Sequence, residues 1–161
     1  MIESDPKEWW TTWEINIKGV YLLSRAFIPL LLKGGSKTIV NVSSVGALFV
    51  MPGASAYQTT KFALLRFTEF LAKEYEAQGI VTFAVHPGGV QTELALNMPE
   101  AVHGFLTDTP ELAGDTLSYL TQKPQSWLIG RFVSVNWDMP EFFARKEEVV
   151  QGDKLKMRLV L

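Results

Sequence analysis

The stretch NVSSVGALFVMPGASAYQTTK, residues 41–61, joins a predicted strand to a predicted helix. The run Thr38–Val42 that leads into it is short, apolar and β-branched, which is typical of a buried strand. Ser55 is followed three residues later by Gln58, and this pair matches a capping box, so a helix is predicted to begin there. A strand that passes through a loop of small residues into a helix indicates a crossover unit of a parallel sheet.

The rest of the chain continues this alternation of helices and strands. Asp5 and Pro6 favour a helix start, and apolar residues follow at helical spacing up to Leu32. Pro29 should bend or end that first helix, and Gly79 is a good residue for the C′ position of the second. The remaining predicted elements are a strand at 80–85, a helix at 110–121, a strand at 131–135 and a charged surface helix or ordered tail at 144–156.

The order helix, strand, helix, strand, helix, strand predicts an α/β fold. We expect roughly three parallel strands with flanking helices in a single domain, residues 1–161. Three strands are few for this class. The predicted architecture is therefore a partial Rossmann-like, doubly wound fold from which the amino-terminal, dinucleotide-binding half is absent.

Composition narrows the classes of function. The 161 residues carry a net charge of −2, which gives no reason to expect a nucleic acid or an anionic membrane as a partner. The chain has no cysteine and only two histidines without clustered carboxylates, so neither a disulfide framework nor a metal site is predicted. The first residues lack the layout of a secretory signal, and the apolar runs are too short to span a bilayer. We therefore expect a soluble, cytoplasmic protein.

Tyr57 and Lys61 are four residues apart, so on a helix they lie on one face, one turn from each other. An ammonium about 5 Å from a phenol stabilises the phenolate by about 3 kcal/mol at an effective dielectric constant near 20. Such a pair can act as a general acid and base near neutral pH, and a nearby serine hydroxyl could polarise a substrate oxygen. The same spacing also occurs on helices that have no catalytic role.

These residues resemble the catalytic segment of the short-chain dehydrogenase/reductase family. That family has a strand ending in Asn-x-Ser-Ser and a Tyr-x-x-x-Lys motif on the next helix, and its second serine lies thirteen residues before the tyrosine, as Ser44 does here. Asn16, in Asn-Ile-Lys-Gly, matches the family's Asn-x-x-Gly pattern. The resemblance implies a catalytic tetrad of Asn16, Ser44, Tyr57 and Lys61, although Asn16 could instead merely bend its helix or bond a carbonyl locally.

A second match follows the strand at 80–85. The segment His86-Pro87-Gly88-Gly89-Val90-Gln91-Thr92 resembles the family's Pro-Gly-x-Val-x-Thr segment, although Pro-Gly alone also marks ordinary turns. The last predicted strand and the residues after it resemble those of fungal family members. The resemblance implies NADP or NAD as the cofactor, and it assigns cofactor contacts to Tyr57, Lys61, Pro87, Gly88, Val90 and Thr92.

The family's glycine-rich motif, Thr-Gly-x-x-x-Gly-x-Gly, does not occur in this sequence. Three readings therefore stay open: an NAD(P)H-linked carbonyl/alcohol oxidoreductase, a non-redox acid/base enzyme such as an isomerase, dehydratase or cyclase, and an inactive pseudo-enzyme that dimerises. The apolar residues between Glu93 and Thr107 suggest an apolar small-molecule substrate, and secondary metabolism is the expected setting. By resemblance, the helices that carry Asn16 and Tyr57 would form a homo-oligomer, and the exposed edge of the strand at 38–42 would also favour association.

Overall fold

The computed structural model describes residues 2–98 and 100–159. Its sheet has the strand order β1, β2, β3, and both neighbouring pairs are parallel. The predicted α/β architecture of three parallel strands with flanking helices is confirmed. The strands are β1 (Thr38–Val42), β2 (Val81–His86) and β3 (Phe132–Ser134). The helices are α1 (Pro6–Trp13), α2 (Val20–Leu31), α3 (Ser55–Tyr75), α4 (Glu93–Leu96), α5 (Pro110–Thr121), α6 (Met139–Ala144) and α7 (Lys146–Gln151).

The central strand β2 divides the core into two layers. Because side chains alternate across a strand, Phe83 and Val85 point to one face of the sheet and Ala84 to the other. Phe83 and Val85 pack in a cluster with Leu120 of α5, whereas Ala84 packs with Leu65 of α3. All five of these side chains are buried. The sheet is therefore covered by α3 on one face and by α5 with the carboxy-terminal helices on the other.

The first helix of the sequence prediction is one helical rod with an irregular middle. Asp5 caps its start by accepting a hydrogen bond from the amide of Lys7 at 2.7 Å, and Pro6 occupies the first turn, as expected. Between α1 and α2 the residues Glu14–Gly19 form a π-helical segment, which contains Asn16. Insertions of this kind are rare in helices and frequent at functional sites. Pro29 lies within α2, which ends two residues later.

The predicted capping box at the start of α3 is wrong. Ser55 is the first residue of the helix, and its N-cap residue, Ala54, has no side-chain capping bond among the described residues. The Ser55 hydroxyl instead accepts a hydrogen bond from the indole N–H of Trp9 at 3.2 Å. The Gln58 side chain accepts one from the amide of Met51 at 2.8 Å. The Ser55 hydroxyl thus connects α3 to α1, and the Gln58 side chain connects α3 to the preceding loop. These bonds take the place of the bonds within the first turn that a capping box would form.

The carboxy-terminal segment after α7 covers the outer edge of β3. The amide of Phe132 donates to the carbonyl oxygen of Leu155 at 2.8 Å, as a strand partner would. The buried guanidinium of Arg131 donates to the carbonyl of Trp127 and to the carboxylate of Asp153, at 2.9 and 3.2 Å. The predicted surface helix or ordered tail is therefore confirmed as both a helix and an ordered tail.

Candidate active site

Tyr57 and Lys61 lie on the first turns of α3, next to the carboxyl end of β1. The Lys61 ammonium is 5.6 Å from the centroid of the Tyr57 ring and donates a hydrogen bond to the carbonyl oxygen of Val42 at 3.0 Å. Burial lowers the pKa of the Lys61 ammonium from its ordinary value. A partly desolvated cation acts on its neighbours through a lower dielectric than water, so its electrostatic effect on them is stronger than that of an exposed lysine.

The two adjacent serines after β1 have different surroundings. Ser43 is buried, and its hydroxyl donates to the backbone carbonyl of Lys61 at 2.8 Å, which ties the end of β1 to α3. Ser44 is half-buried, and its oxygen accepts a hydrogen bond from the amide of Gly46 at 3.0 Å. That bond uses one of the two acceptor positions of the Ser44 hydroxyl, which keeps its hydrogen to donate. The geometry therefore favours Ser44, and not Ser43, as the serine that can contact a ligand.

Asn16 is connected to the tyrosine through a residue that the sequence motifs do not mark. Its side-chain amide donates to the hydroxyl of Thr60 at 3.0 Å, and that hydroxyl donates to the backbone carbonyl of Tyr57 at 2.7 Å. Thr60 is completely buried. The Asn16 side chain thus bonds across to α3 and not to its own helix, so the purely local reading of Asn16 does not hold. Thr60 is the residue that motif reasoning missed, and its only sequence signal is its position three residues after Tyr57.

The Pro87–Thr92 loop leaves the sheet beside the serine and lysine residues. The register pairs Val42 with Val85, and the amide of Ser43 donates to the carbonyl of Val85 at 2.8 Å. Consequently the residues that follow β1 and those that follow β2 lie side by side at one edge of the sheet. In open α/β sheets this carboxyl edge is where ligands bind. The structure therefore brings together the two segments that the motifs single out.

Within this loop the backbone is held in an unusual conformation. Gly88 has φ +85°, a region that residues with a Cβ rarely adopt. Thr92 caps α4 by accepting a hydrogen bond from the amide of Ala95 at 3.2 Å, which leaves its hydroxyl hydrogen available to a ligand. His86, at the end of β2, has its Nδ1 buried without a hydrogen-bond partner among the described residues. Burial lowers the pKa of His86, and the Asp108 carboxylate partly opposes that effect.

Residues 2–98 and 100–159 contain no group of three or more His, Cys, Asp or Glu side chains placed to hold a metal ion. Within the same residues, each helix is either too short or too polar to cross a lipid bilayer.

Comparison with known proteins gives consistent matches. The sequence model of the short chain dehydrogenases matches residues 1–102. The chain is 61% identical over 161 residues to the short chain dehydrogenase mpl6 of Monascus purpureus, which is 100% of this chain and 55% of that protein. It is 51% identical over 155 residues to the short chain dehydrogenase andI of Emericella variicolor, covering 96% of this chain and 53% of the relative. The chain thus spans about half the length of these curated relatives.

A solved structure matches as well. The NADPH bound carbonyl reductase from chicken fatty liver superposes with a TM-score of 0.69 at 25% sequence identity. The superposition covers 84% of this chain and 57% of that one.

Proposed function

We propose, because this chain belongs to the short-chain dehydrogenase family, that it carries the acid/base and nicotinamide side of an NAD(P)H-linked interconversion of a carbonyl and an alcohol. The observation that carries this proposal is the Lys61 ammonium, which lies 5.6 Å from the centroid of the Tyr57 ring and donates to the carbonyl of Val42 at the carboxyl end of β1. The family assignment confirms the resemblance drawn from the motifs, and the chain corresponds to the carboxy-terminal half of such a protein.

Each member of the proposed tetrad has one task. Tyr57 gives its proton to the substrate carbonyl oxygen during reduction and takes it back during oxidation. Lys61 stabilises the phenolate electrostatically, and Ser44 donates its hydroxyl hydrogen to the same substrate oxygen. Asn16 holds α3 in place through Thr60 and completes the proton relay that the family resemblance implies.

The residues present fit the nicotinamide end of NADP or NAD. The Lys61 ammonium retains hydrogens that can bond a ribose hydroxyl, because its hydrogen bond to Val42 uses one of its three donors. The two glycines after Pro87 have no side chain that would keep a flat ring away from the backbone. When bound, the nicotinamide supplies or accepts the hydride. The residues that would hold it are Tyr57, Lys61, Pro87, Gly88, Val90 and Thr92.

The substrate is proposed to be an apolar small molecule of fungal secondary metabolism. The segment after the Pro87–Thr92 loop exposes large apolar side chains, with Leu94 at 72% and Phe105 at 76% exposure. Exposed apolar side chains beside a polar site favour a ligand with an apolar body and one reactive oxygen. The curated relatives named above come from fungi. A cytoplasmic location, suggested by the sequence without cysteine, is kept as part of this proposal.

A cofactor titration combined with one conservative substitution tests the redox proposal. We expect NADPH or NADH to bind the purified chain and to be consumed in the presence of apolar ketones. Tyr57→Phe should abolish turnover and weaken cofactor binding far less, because the proton donor is lost while the ring and the other proposed cofactor contacts stay. Tyr119→Phe, at an exposed tyrosine of α5, is the matched control and should behave as the wild type.

A chain that does not bind NADPH or NADH would point to one of the two functions that do not use a dinucleotide. If neither dinucleotide binds up to millimolar concentration, the redox proposal is wrong. The non-redox acid/base reading would then take its place, since the Tyr57 and Lys61 pair needs no dinucleotide to move a proton to or from a substrate. A demonstrated non-redox activity that survives Tyr57→Phe would exclude that reading too and leave the inactive pseudo-enzyme.

The chain is further proposed to form a homo-oligomer through the helices that carry Asn16 and Tyr57. It exposes 10363 Å² of surface, whereas a compact monomer of 18.1 kDa exposes about 8,100 Å² by the usual scaling of area with mass. Stable dimers bury about 800 Å² on each partner, so the excess is large enough for an interface. Part of the exposed surface is an apolar face of α2, on which Leu23, Phe27 and Leu30 are more than half exposed.

Light scattering at micromolar concentration tests this association. We expect a dimer or a larger species, and we expect Phe27→Lys to shift the distribution towards the monomer. Ile2→Lys, which changes a still more exposed apolar residue outside the helices, is the control. A monodisperse 18 kDa species formed by the wild-type chain would contradict the proposal.

A further inference from the structure

The Asp108 carboxylate connects segments that are far apart in the sequence. One of its oxygens, Oδ2, accepts a hydrogen bond from the amide of Gly89 at 2.6 Å and another from the side-chain amide of Asn136 at 2.9 Å. Gly89 belongs to the loop after β2, Asp108 precedes α5, and Asn136 follows β3. The residues are separated by 19 and 28 positions, and no motif found in the sequence includes Asp108. We call Asp108 and Asn136 the loop clamp.

The loop clamp acts on a piece of backbone that has little room to move. The amide of Asp108 donates to the carbonyl of Gly89 at 2.9 Å, so the two residues are bonded in both directions. A Cβ built on Gly88 would lie 2.7 Å from the Asp108 carboxylate, and one built on Gly89 would overlap the carbonyl oxygen of Phe105. Because neither glycine has a side chain, the loop backbone can approach Asp108 and Phe105 this closely. The hydrogen bond from the Gly89 amide to the Asp108 carboxylate then favours one backbone conformation of the two glycines.

The orientation of Asn136 is set by its own strand. The hydroxyl of Ser134 donates to the Asn136 side-chain oxygen at 3.2 Å, so the amide nitrogen of Asn136 faces Asp108. Ser134 is buried at the end of β3 and pairs in register with His86 of β2. The loop clamp is thus anchored to the sheet, and the Asp108 carboxylate receives both of its donors from groups that have fixed positions.

We propose that Asp108 and Asn136 are positioning residues that hold the Pro87–Val90 backbone in the conformation that meets the nicotinamide. This inference rests on the proposed function, because it concerns the same cofactor site. A loop with two adjacent glycines samples many conformations when it is free, and ordering it at the moment of binding costs affinity. The loop clamp orders the loop before the cofactor arrives. Neither residue touches the reacting atoms, so its effect is on binding through the loop.

Two alanine substitutions and one conservative substitution test the loop clamp. Asp108→Ala removes the acceptor that Gly89 and Asn136 share, and Asn136→Ala removes one of its two donors. Each alanine variant should weaken NADPH binding by about tenfold, the factor expected when one hydrogen bond to a charged group is lost. Asp108→Asn keeps an amide oxygen that can accept from both groups, so it should restore most of the affinity. Asp115→Asn, at an exposed aspartate of α5, is the control and should change nothing.

A second readout does not depend on the cofactor. Hydrogen exchange of the Gly89 amide, followed by NMR in the protein without NADPH, should be faster in Asp108→Ala and Asn136→Ala than in the wild type, and slow again in Asp108→Asn. Unchanged Gly89 exchange in both alanine variants would overturn the loop clamp, as would alanine variants that bind NADPH as tightly as the wild type. If the wild-type chain binds no NADPH, the proposed function fails, while the exchange of Gly89 still decides whether the carboxylate orders the loop.

Discussion

Replacement of Thr60 by valine tests the connection between Asn16 and Tyr57. The substitution keeps the branched shape of a completely buried side chain and removes only the hydroxyl. That hydroxyl accepts a hydrogen bond from Asn16 at 3.0 Å and donates one to the carbonyl of Tyr57 at 2.7 Å. Since each intramolecular hydrogen bond contributes about 1 kcal/mol net, Thr60→Val should lower the free energy of unfolding by about 2 kcal/mol.

Thr82 offers a matched control with the opposite expected sign. It is also completely buried, in β2, but its hydroxyl has no hydrogen-bond partner among residues 2–98 and 100–159. A buried hydroxyl without a partner costs free energy, so Thr82→Val should raise the free energy of unfolding by about 1 kcal/mol. The same chemical change in two buried sites should therefore give results about 3 kcal/mol apart.

Thermal and urea unfolding measure this difference. For a chain of this size, 1 kcal/mol corresponds to roughly 2–4 °C in Tm. We expect Thr60→Val to lower Tm by roughly 4–8 °C and Thr82→Val to raise it by roughly 2–4 °C. If the chain shows measurable turnover, Thr60→Val should also reduce kcat, because Asn16 loses its partner on α3. Equal shifts in Tm for the two variants would show that the hydrogen bonds of Thr60 to Asn16 and Tyr57 do not stabilise the fold, since the burial of the two threonines would then explain the shifts.

Two further predictions follow from the serine pair and from the carboxy-terminal segment. Ser43→Ala should destabilise the fold by about 1–2 kcal/mol, because it removes a buried hydrogen bond to α3. Ser44→Ala removes only the half-buried bond from the Gly46 amide, so it should destabilise the fold less than Ser43→Ala does and should reduce turnover. The reverse pattern in calorimetry and activity assays would contradict the assignment. Hydrogen bonds from Lys156 and Arg131 lower the pKa of Asp153 from its ordinary value of 3.8 to about 2. Because the folded-state pKa is lower than the ordinary one, the ionised Asp153 carboxylate stabilises the folded state. This stabilisation is present above pH 3.8 and is lost as the pH falls towards about 2. The free energy of unfolding, measured in urea, should therefore fall less for Asp153→Asn than for the wild type between neutral pH and pH 2. Equal losses in the two proteins would contradict this prediction.

The fold follows from local patterns to a large extent. The strands at Thr38–Val42 and Val81–His86, the helix at Pro110–Thr121 and the left-handed Gly79, with φ +84°, all agree with expectations drawn from composition and spacing. The helices α4 and α6 were missed because they are only four and six residues long. A signal for α6 was present, since Asp138 precedes Pro140 by two residues and caps the helix.

The position of Tyr57 and Lys61 on one helix face was also predictable, whereas the partners of the surrounding side chains were not. The capping box failed because Ser55 bonds to Trp9, which lies 46 residues away. No local rule contains that partner. The choice between Ser43 and Ser44 rested on a family spacing, and the structure adds the physical reason: one hydroxyl is buried in a bond to α3, and the other is half-exposed.

The alternation of strands and helices and the spacing of the phenol and the ammonium follow from the amino-acid order alone, because both depend on residues within one or two turns of chain. Three contacts required the folded chain: Asn16 bonds to Thr60, the residues after β1 and β2 share one edge of the sheet, and Asp108 bonds to Gly89. Those contacts join residues 19 to 44 positions apart. Their formation depends on how the helices and strands pack, and packing is a property of the whole chain that short-range patterns do not encode.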